Sequence, residues 1–362
     1  MSVLSLLIKP ASGQCNLSCS YCFYHDLMKE KGGIIHEVMT YETLGILLKE
    51  AFKLAKKALI LSFQGGEPLL VGLKYYEEVI HLVKTLNKSS IPVSYSIQTN
   101  GLLLDDEWCA FLEKHHFLVG ISLDGPKEVH EVARGSHHNQ ILEAVHLLER
   151  YHVPFNILAV VTKANVQKAS EIYQFFRKEK LFYLQFIPCV PLHNNENKEQ
   201  TLLTDQEYFH FLDELFHCWF YDIMGSNPTS IRLFDNLVAI LLGLKPNSCD
   251  LNGSCSSALI IESNGDVYPC DFFVEKDYLL GNILKKPLEQ IITSPIRSHL
   301  YEVSTTLPLA CVQCPYRYLC QGGCVKYRTP SHIYCKTMYL FLQKNLTQLE
   351  EVATYFKQQI RS

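Results

Sequence analysis

Three cysteines crowd into eight residues near the start of the chain, in the run Cys15-Asn16-Leu17-Ser18-Cys19-Ser20-Tyr21-Cys22. Just before them lies an apolar stretch, Leu4 to Ile8, that reads as a strand. Thiolates this closely spaced share one loop, where they can hold three irons of a [4Fe–4S] cube. Such a cluster normally takes four cysteines, and no fourth lies nearby. The unclaimed iron is then open to an outside ligand, as an open position separates catalytic from structural zinc sites. A three-cysteine zinc site completed by His25 is the competing reading.

The tail carries eight more cysteines: Cys249, Cys255, Cys270, Cys311, Cys314, Cys320, Cys324 and Cys335. Eight is the number that fully ligates two four-cysteine clusters. Two structural zinc sites satisfy the same count, and spacing leaves both open. Gly322-Gly323, between Cys320 and Cys324, lets backbone approach an inorganic cluster without Cβ clashes. Cys109, Cys189 and Cys218 are left over; Cys109 and Cys218 lie on helical patterns and read as buried thiols. The stretch Met1 to Pro10 has neither a basic n-region nor an A-x-A-like cleavage site. Fourteen cysteines without an export signal point to reduced, metal-binding thiols in a reducing cytoplasm, not to a disulfide framework. A net charge of −4 offers no electrostatic attraction to nucleic acid or an anionic membrane surface. No run approaches the ~18 apolar residues of a membrane span.

With 362 residues the chain can hold two domains. Its first half alternates strand-like and helix-like segments, the signature of parallel βα units and an α/β fold. Strands are expected at Leu4–Ile8, Leu59–Phe63, Val93–Gln98, Leu118–Leu123, Phe155–Val161 and Tyr183–Ile187. Helices are expected at Tyr41–Lys57, Leu73–Asn87, Asp106–His115, Asn139–Tyr151 and Val166–Lys180, with Thr40 and Asp105 as N-caps. Six strands in this order suit an open or partial (β/α)6 barrel, whose strand C-termini share one face. Polar and glycine-rich turns follow those strands: Gln64-Gly65-Gly66-Glu67-Pro68, Gln98-Thr99-Asn100-Gly101, Ser122-Leu123-Asp124-Gly125 and Pro188-Cys189-Val190. A polar stretch around His193-Asn194-Asn195 marks a linker, followed by helical regions at Asp205–Tyr221 and Ile231–Leu244. The domain expectation is a core over residues 1–227 and a cysteine-rich domain over 228–362.

Here a resemblance becomes specific. The three-cysteine loop, the Gly-Gly-Glu-Pro turn and the strand order resemble the radical S-adenosylmethionine (SAM) enzymes, and the tail resembles their SPASM extension with two auxiliary clusters. Several strings are similar to the anaerobic sulfatase-maturating enzymes: Leu6-Leu7-Ile8-Lys9-Pro10, Cys22-Phe23-Tyr24-His25, Phe63 to Pro68, Asp124-Gly125-Pro126, and Val267 to Phe272. The resemblance implies three [4Fe–4S] clusters and SAM as cofactors. Cys15, Cys19 and Cys22 would hold the SAM cluster; Tyr21, Gly66, Ser122, Arg134 and Val190 would contact SAM. It sorts the tail into two sets, Cys249, Cys255, Cys270 and Cys324 for one cluster and Cys311, Cys314, Cys320 and Cys335 for the other. The loop between Cys324 and Cys335 is shorter than the family's, and His137-His138 reads as a solvated turn.

The implied reaction oxidises a cysteine or serine of a sulfatase polypeptide to Cα-formylglycine, fed by a low-potential flavodoxin- or ferredoxin-type donor. Asp271 is the expected general base; its alternative role is to shape the cluster loop. Tyr24 and Gln64 either orient substrate or simply pack. The rival reading is another SPASM peptide-modifying enzyme forming thioether or carbon–carbon crosslinks. Many of those carry an added N-terminal recognition domain, for which Cys15 comes too early. A non-catalytic iron–sulfur or zinc protein is the alternative from a different class.

Overall fold

The computed structural model describes residues 3–24, 38–190, 202–255, 258–328 and 332–361. His25 and the linker around His193 lie outside the described residues. The first half runs β1 (Val3–Ile8), α1 (Tyr41–Leu54), β2 (Ala58–Phe63), α2 (Leu73–Leu86), β3 (Val93–Thr99), α3 (Asp106–Lys114) and β4 (Phe117–Ser122). It continues through α4 (Lys127–Arg134), α5 (His138–Arg150), β5 (Phe155–Val161), α6 (Ala169–Lys178) and β6 (Tyr183–Pro188). Then come α7 (Asp205–Met224), β7 (Ser230–Ile231), α8 (Arg232–Leu241), β8 (Leu259–Ile261), β9 (Asp266–Tyr268) and β10 (Gly281–Asn282). The helices α9 (Leu288–Ile292), α10 (Pro295–Thr305), α11 (Leu309–Val312), α12 (Arg317–Cys320) and α13 (Cys335–Arg361) close the chain.

All six expected strands form, because each is a short apolar run bounded by turn residues. Thr40 and Asp105 cap α1 and α3 by accepting from the Thr43 and Trp108 N–H groups. Helix α1 stops at Leu54, short of Lys57, since Ala55 turns extended (φ −70°, ψ 123°) to lead into β2. Helix α6 starts at Ala169, not Val166. The Asn165 side chain accepts from Thr162 N–H and donates to the Val160 carbonyl, holding a turn there. His138 is not a solvated turn residue: it is 4% exposed at the start of α5.

The chain packs as two compact units. The first comprises residues 1–122, 133–155 and 256–300. Its strands follow the order β10-β9-β8-β1-β2-β3-β4. Strands β1 to β4 and β8 are parallel neighbours, while β9 and β10 run antiparallel. Leu4, Leu6, Ile8, Leu59, Leu61 and Phe63 are buried, alternating along β1 and β2 as a period of two requires. Strand β8 lies beside β1 with Ile8 opposite Ile261, and the Lys9 N–H extends that pairing to the Ile261 carbonyl at 2.8 Å. A segment some 250 residues downstream is thereby set against the end of β1.

The second unit comprises residues 123–132, 156–255 and 301–362 and holds the parallel set β5-β6-β7. Its core is aromatic: Phe216, Trp219, Phe234 and Phe341 interlock, with Phe234 stacked on Phe341 at 5.6 Å. Thr204 and Glu207 form a capping box on α7. Thr337 N–H donates to Asp205 Oδ1 at 2.9 Å, pinning the first turn of α13, where Cys335 sits.

Candidate active site

The loop carrying the three cysteines is clamped from β2. Gly66 N–H donates to the Ser12 carbonyl at 2.8 Å and Glu67 N–H to the Gln14 carbonyl at 2.7 Å. A Cβ at Gly66 would stand 2.0 Å from the Gln14 oxygen, so only glycine permits this approach. Glu67 is fully buried and accepts from Leu69 N–H, Asn100 N–H and the Thr99 hydroxyl at 2.8–2.9 Å. Burial pushes its carboxyl up to about 7, although those three bonds pull the other way. Gly-Gly-Glu-Pro is thus a backbone clamp on the cysteine loop as well as a turn.

Burial pushes the Cys15 thiol up to about 11, with Cys19 and Cys22 close enough to add to the rise. Leu17 N–H points at Cys15 Sγ, 3.4 Å away, and Asn100 Nδ2 lies 3.8 Å from the same sulfur. Three crowded thiols, with two N–H donors on the Cys15 sulfur, suit a cationic cluster, which would ionise them and keep those donors on sulfur. Among the described residues no three His, Cys, Asp or Glu side chains converge where a single ion could sit.

Four of the residues expected around SAM belong to this unit. Ser20 N–H bonds the Ala133 carbonyl at 2.9 Å, which brings the end of α4 to the loop. There Arg134, only 8% exposed, sets Nη1 3.9 Å from Cys19 Sγ and its guanidinium carbon 5.2 Å from the centre of the Tyr21 ring. It is no solvated surface charge. Ser122 accepts from Gln98 Nε2 at 3.2 Å, and Gln98 lies across Gly120, where a Cβ would meet its Oε1 at 2.0 Å. That Gln98–Gly120–Ser122 arrangement carries no sequence signal, because it needs two strands in register. Gly66 N–H is engaged by the Ser12 carbonyl. Val190 is half-buried, after β6 in the second unit.

Asp271 stands in a network that sequence reasoning missed. Lys9, without solvent exposure, places Nζ 2.6 Å from Asp271 Oδ1 and 3.1 Å from Glu262 Oε1. The ammonium also lies 4.3 Å from the centre of the Tyr24 ring. The Tyr24 hydroxyl donates to the same Asp271 oxygen at 2.5 Å, and Ser12 donates to Glu262 Oε2 at 2.8 Å. Burial lowers the affinity of Lys9 for its proton, but Asp271 and Glu262 more than offset this and hold it above the usual lysine value. Burial, then Asp271, holds the Tyr24 hydroxyl well above the usual phenol range. Tyr24 therefore acts as a neutral donor.

In the second unit the tail cysteines lie in two neighbourhoods. The Cys320 thiol is pushed up to about 11 by burial, and Cys335, Cys311 and Cys314 add to the rise. The Cys324 thiol is pushed up to about 12, again by burial first, with Cys249 and Cys255 beside it. Gly322 and Gly323 have φ of +79° and +65°, and a Cβ on them would meet Leu307 and His332 at 2.8 and 2.6 Å. Their glycine requirement thus comes from protein neighbours. Arg328 donates to the Gly322, Gly323 and Ser304 carbonyls at 2.7–3.0 Å, fixing this loop. Cys270 belongs to the first unit, next to Asp271. Of the leftover thiols, Cys109 is fully buried and Cys218 half-buried.

The radical SAM superfamily model matches residues 10–176, and an iron–sulfur cluster-binding domain model, SPASM, matches residues 252–315. The chain is 40% identical to a cysteine-type anaerobic sulfatase-maturating enzyme of Clostridium novyi, over 98% of both chains. It is 32% identical to a serine-type enzyme of Bacteroides thetaiotaomicron, over 90% of this chain and 83% of the relative. A solved structure of native anSMEcpe with bound AdoMet and the Cp18Cys peptide superposes with a TM-score of 0.92 at 36% identity, covering 98% and 99% of the two chains. Streptococcus suis SuiB, at 17% identity and TM-score 0.62, shares the fold. The α/β architecture is that of a radical SAM core with a SPASM tail.

Proposed function

We propose, from the premise that this chain belongs to the anaerobic sulfatase-maturating enzymes, that it oxidises a cysteine of a sulfatase polypeptide to Cα-formylglycine. The carrying observation is a carboxylate, Asp271, held by Lys9 and Tyr24 one residue from Cys270, in a chain 40% identical end to end with a cysteine-type relative. In this reading Cys15, Cys19 and Cys22 hold the SAM cluster, and Tyr21, Gly66, Ser122, Arg134 and Val190 hold SAM. Cys249, Cys255, Cys270 and Cys324 ligate one auxiliary cluster; Cys311, Cys314, Cys320 and Cys335 ligate the other. The core spans residues 1–227 and the SPASM domain 228–362.

When bound, the cluster held by Cys15, Cys19 and Cys22 would, with SAM, supply a 5′-deoxyadenosyl radical able to remove a hydrogen atom from the substrate Cβ, and the clusters held by the tail cysteines would take up one electron. Asp271 accepts the proton leaving the substrate sulfur, so that proton and electron loss together yield a thioaldehyde. Water then replaces sulfur, released as hydrogen sulfide, and leaves the aldehyde. Arg134, buried beside Tyr21, pairs with the SAM carboxylate, while Gln98 aims the Ser122 hydroxyl. Tyr24 stays protonated and steadies Asp271. A flavodoxin- or ferredoxin-type protein supplies the low-potential electron, in the cytoplasm.

Asp271→Asn tests the assignment. The variant should release 5′-deoxyadenosine from SAM yet lose about 10²–10⁴-fold in formylglycine formation, the usual range for a general base. Normal aldehyde yield would remove Asp271 as the base.

A further inference from the structure

The Lys9 side chain is fully buried at the C-terminal end of β1, between β8 and β2, where burying a charge is costly unless it is paired. An ammonium has three donors, and here it meets three partners: Asp271 Oδ1, Glu262 Oε1 and the face of Tyr24. One cation against two carboxylates leaves a net negative charge. Of the two carboxylates, Glu262 is sealed, with its side chain 4% exposed and its second oxygen held by Ser12, while Asp271 is 17% exposed. Lys9 and Tyr24 both engage Oδ1 of Asp271, and neither contact uses Oδ2. Two donors on one oxygen lock the carboxylate plane.

We propose that Lys9 is a positioning residue for the oxidation: it pins Asp271 Oδ1 so that Oδ2 is presented to the substrate thiol, with Glu262 as the counter-anchor that fixes the ammonium. This rests on the reading of Asp271 as the base. The competing view is that Lys9 merely neutralises Glu262 and Asp271 to let the ends of β1 and β8 pack.

The two views separate in a double variant. Lys9→Met alone leaves two carboxylates facing each other, whereas Lys9→Met with Glu262→Gln leaves Asp271 the one carboxylate there and removes that repulsion. Cluster-loaded wild type, the double variant and Asp271→Asn are each given SAM, a reductant and a cysteine-containing sulfatase peptide. Iron content, 5′-deoxyadenosine, formylglycine and the peptide KM are measured. The double variant should keep wild-type iron and SAM cleavage and an unchanged peptide KM. Its kcat for formylglycine should fall by about 10²-fold, the cost of an ångström-scale misplacement, so that product per 5′-deoxyadenosine falls with it. Wild-type product per 5′-deoxyadenosine in the double variant would overturn the role, and so would loss of iron, since Lys9 would then be holding the fold. If Asp271→Asn is inactive while the double variant is normal, the Lys9 assignment alone fails. If Asp271→Asn makes normal product, the base reading fails first.

Discussion

Gly66→Ala adds one methyl group to the most crowded point of the site. Its Cβ would lie 2.0 Å from the Gln14 carbonyl oxygen, 2.4 Å from the Gln14 carbonyl carbon and 2.7 Å from the Gly13 carbonyl carbon. Ordinary contacts fall at about 3.5–4.0 Å, so the cysteine loop must retreat by roughly 1.5 Å. All three atoms are backbone, so no side-chain rotation relieves the clash. Overpacking of this kind costs about 1–3 kcal/mol. The retreat also breaks the Gly66–Ser12 and Glu67–Gln14 bonds that set Cys15. A catalytic loop displaced by an ångström loses about 10²-fold in rate. Gly45→Ala is the matched control: it lies in α1 with nothing within 4 Å of its Cβ, and should stabilise by about 0.5–1 kcal/mol. The assay is iron content after anaerobic reconstitution, with SAM affinity and 5′-deoxyadenosine release. Wild type should hold about 12 irons, Gly45→Ala the same, and Gly66→Ala should lose the loop cluster and SAM cleavage together. Full iron and normal SAM affinity in Gly66→Ala would refute the clamp.

Glu67 makes a pH prediction. Its carboxyl is raised to about 7 in the fold, so between the unfolded value near 4.5 and 7 the folded chain holds a proton the unfolded chain has released. Stability therefore falls as pH rises through that window, by about 3 kcal/mol, and levels off above it. Denaturation midpoints of wild type and Glu67→Gln at about pH 5 and pH 8 should diverge accordingly; parallel shifts would contradict the assignment. In the tail, Cys320→Ala with Cys335→Ala should remove about four irons and leave about eight, whereas retention of all twelve would break the proposed ligand set.

Much of the fold was legible because it is written in local signals. Strand β5 spans Phe155–Val161 as expected, an apolar run closed by turn residues, and Thr40 and Asp105 cap where their side chains predict. The site was legible only where one residue type carries the chemistry, as cysteine does. Strands β8 and β9, three residues each, are too short to show a period. Lys9 and Glu262 were therefore unreadable as partners: they lie 253 positions apart and meet only because β8 aligns beside β1. Lys9 stood in a recognised string without a role, since nothing local distinguishes a buried lysine from a solvated one. Gln98, Gly120 and Ser122 were hidden for the same reason: their meeting depends on β3–β4 register. Gly322 and Gly323 show the converse, a glycine pair visible in the sequence whose crowding comes from Leu307 and His332.

The central claim is that this chain oxidises a peptide cysteine to formylglycine. It is tested most directly by the product mass after anaerobic incubation with SAM, a reductant and a cysteine-containing sulfatase peptide. The account predicts that the peptide loses one sulfur and two hydrogens and gains one oxygen, with 5′-deoxyadenosine released alongside. Loss of two hydrogens with the sulfur retained and two residues joined in the fragment spectrum, the mark of a crosslink, would contradict it.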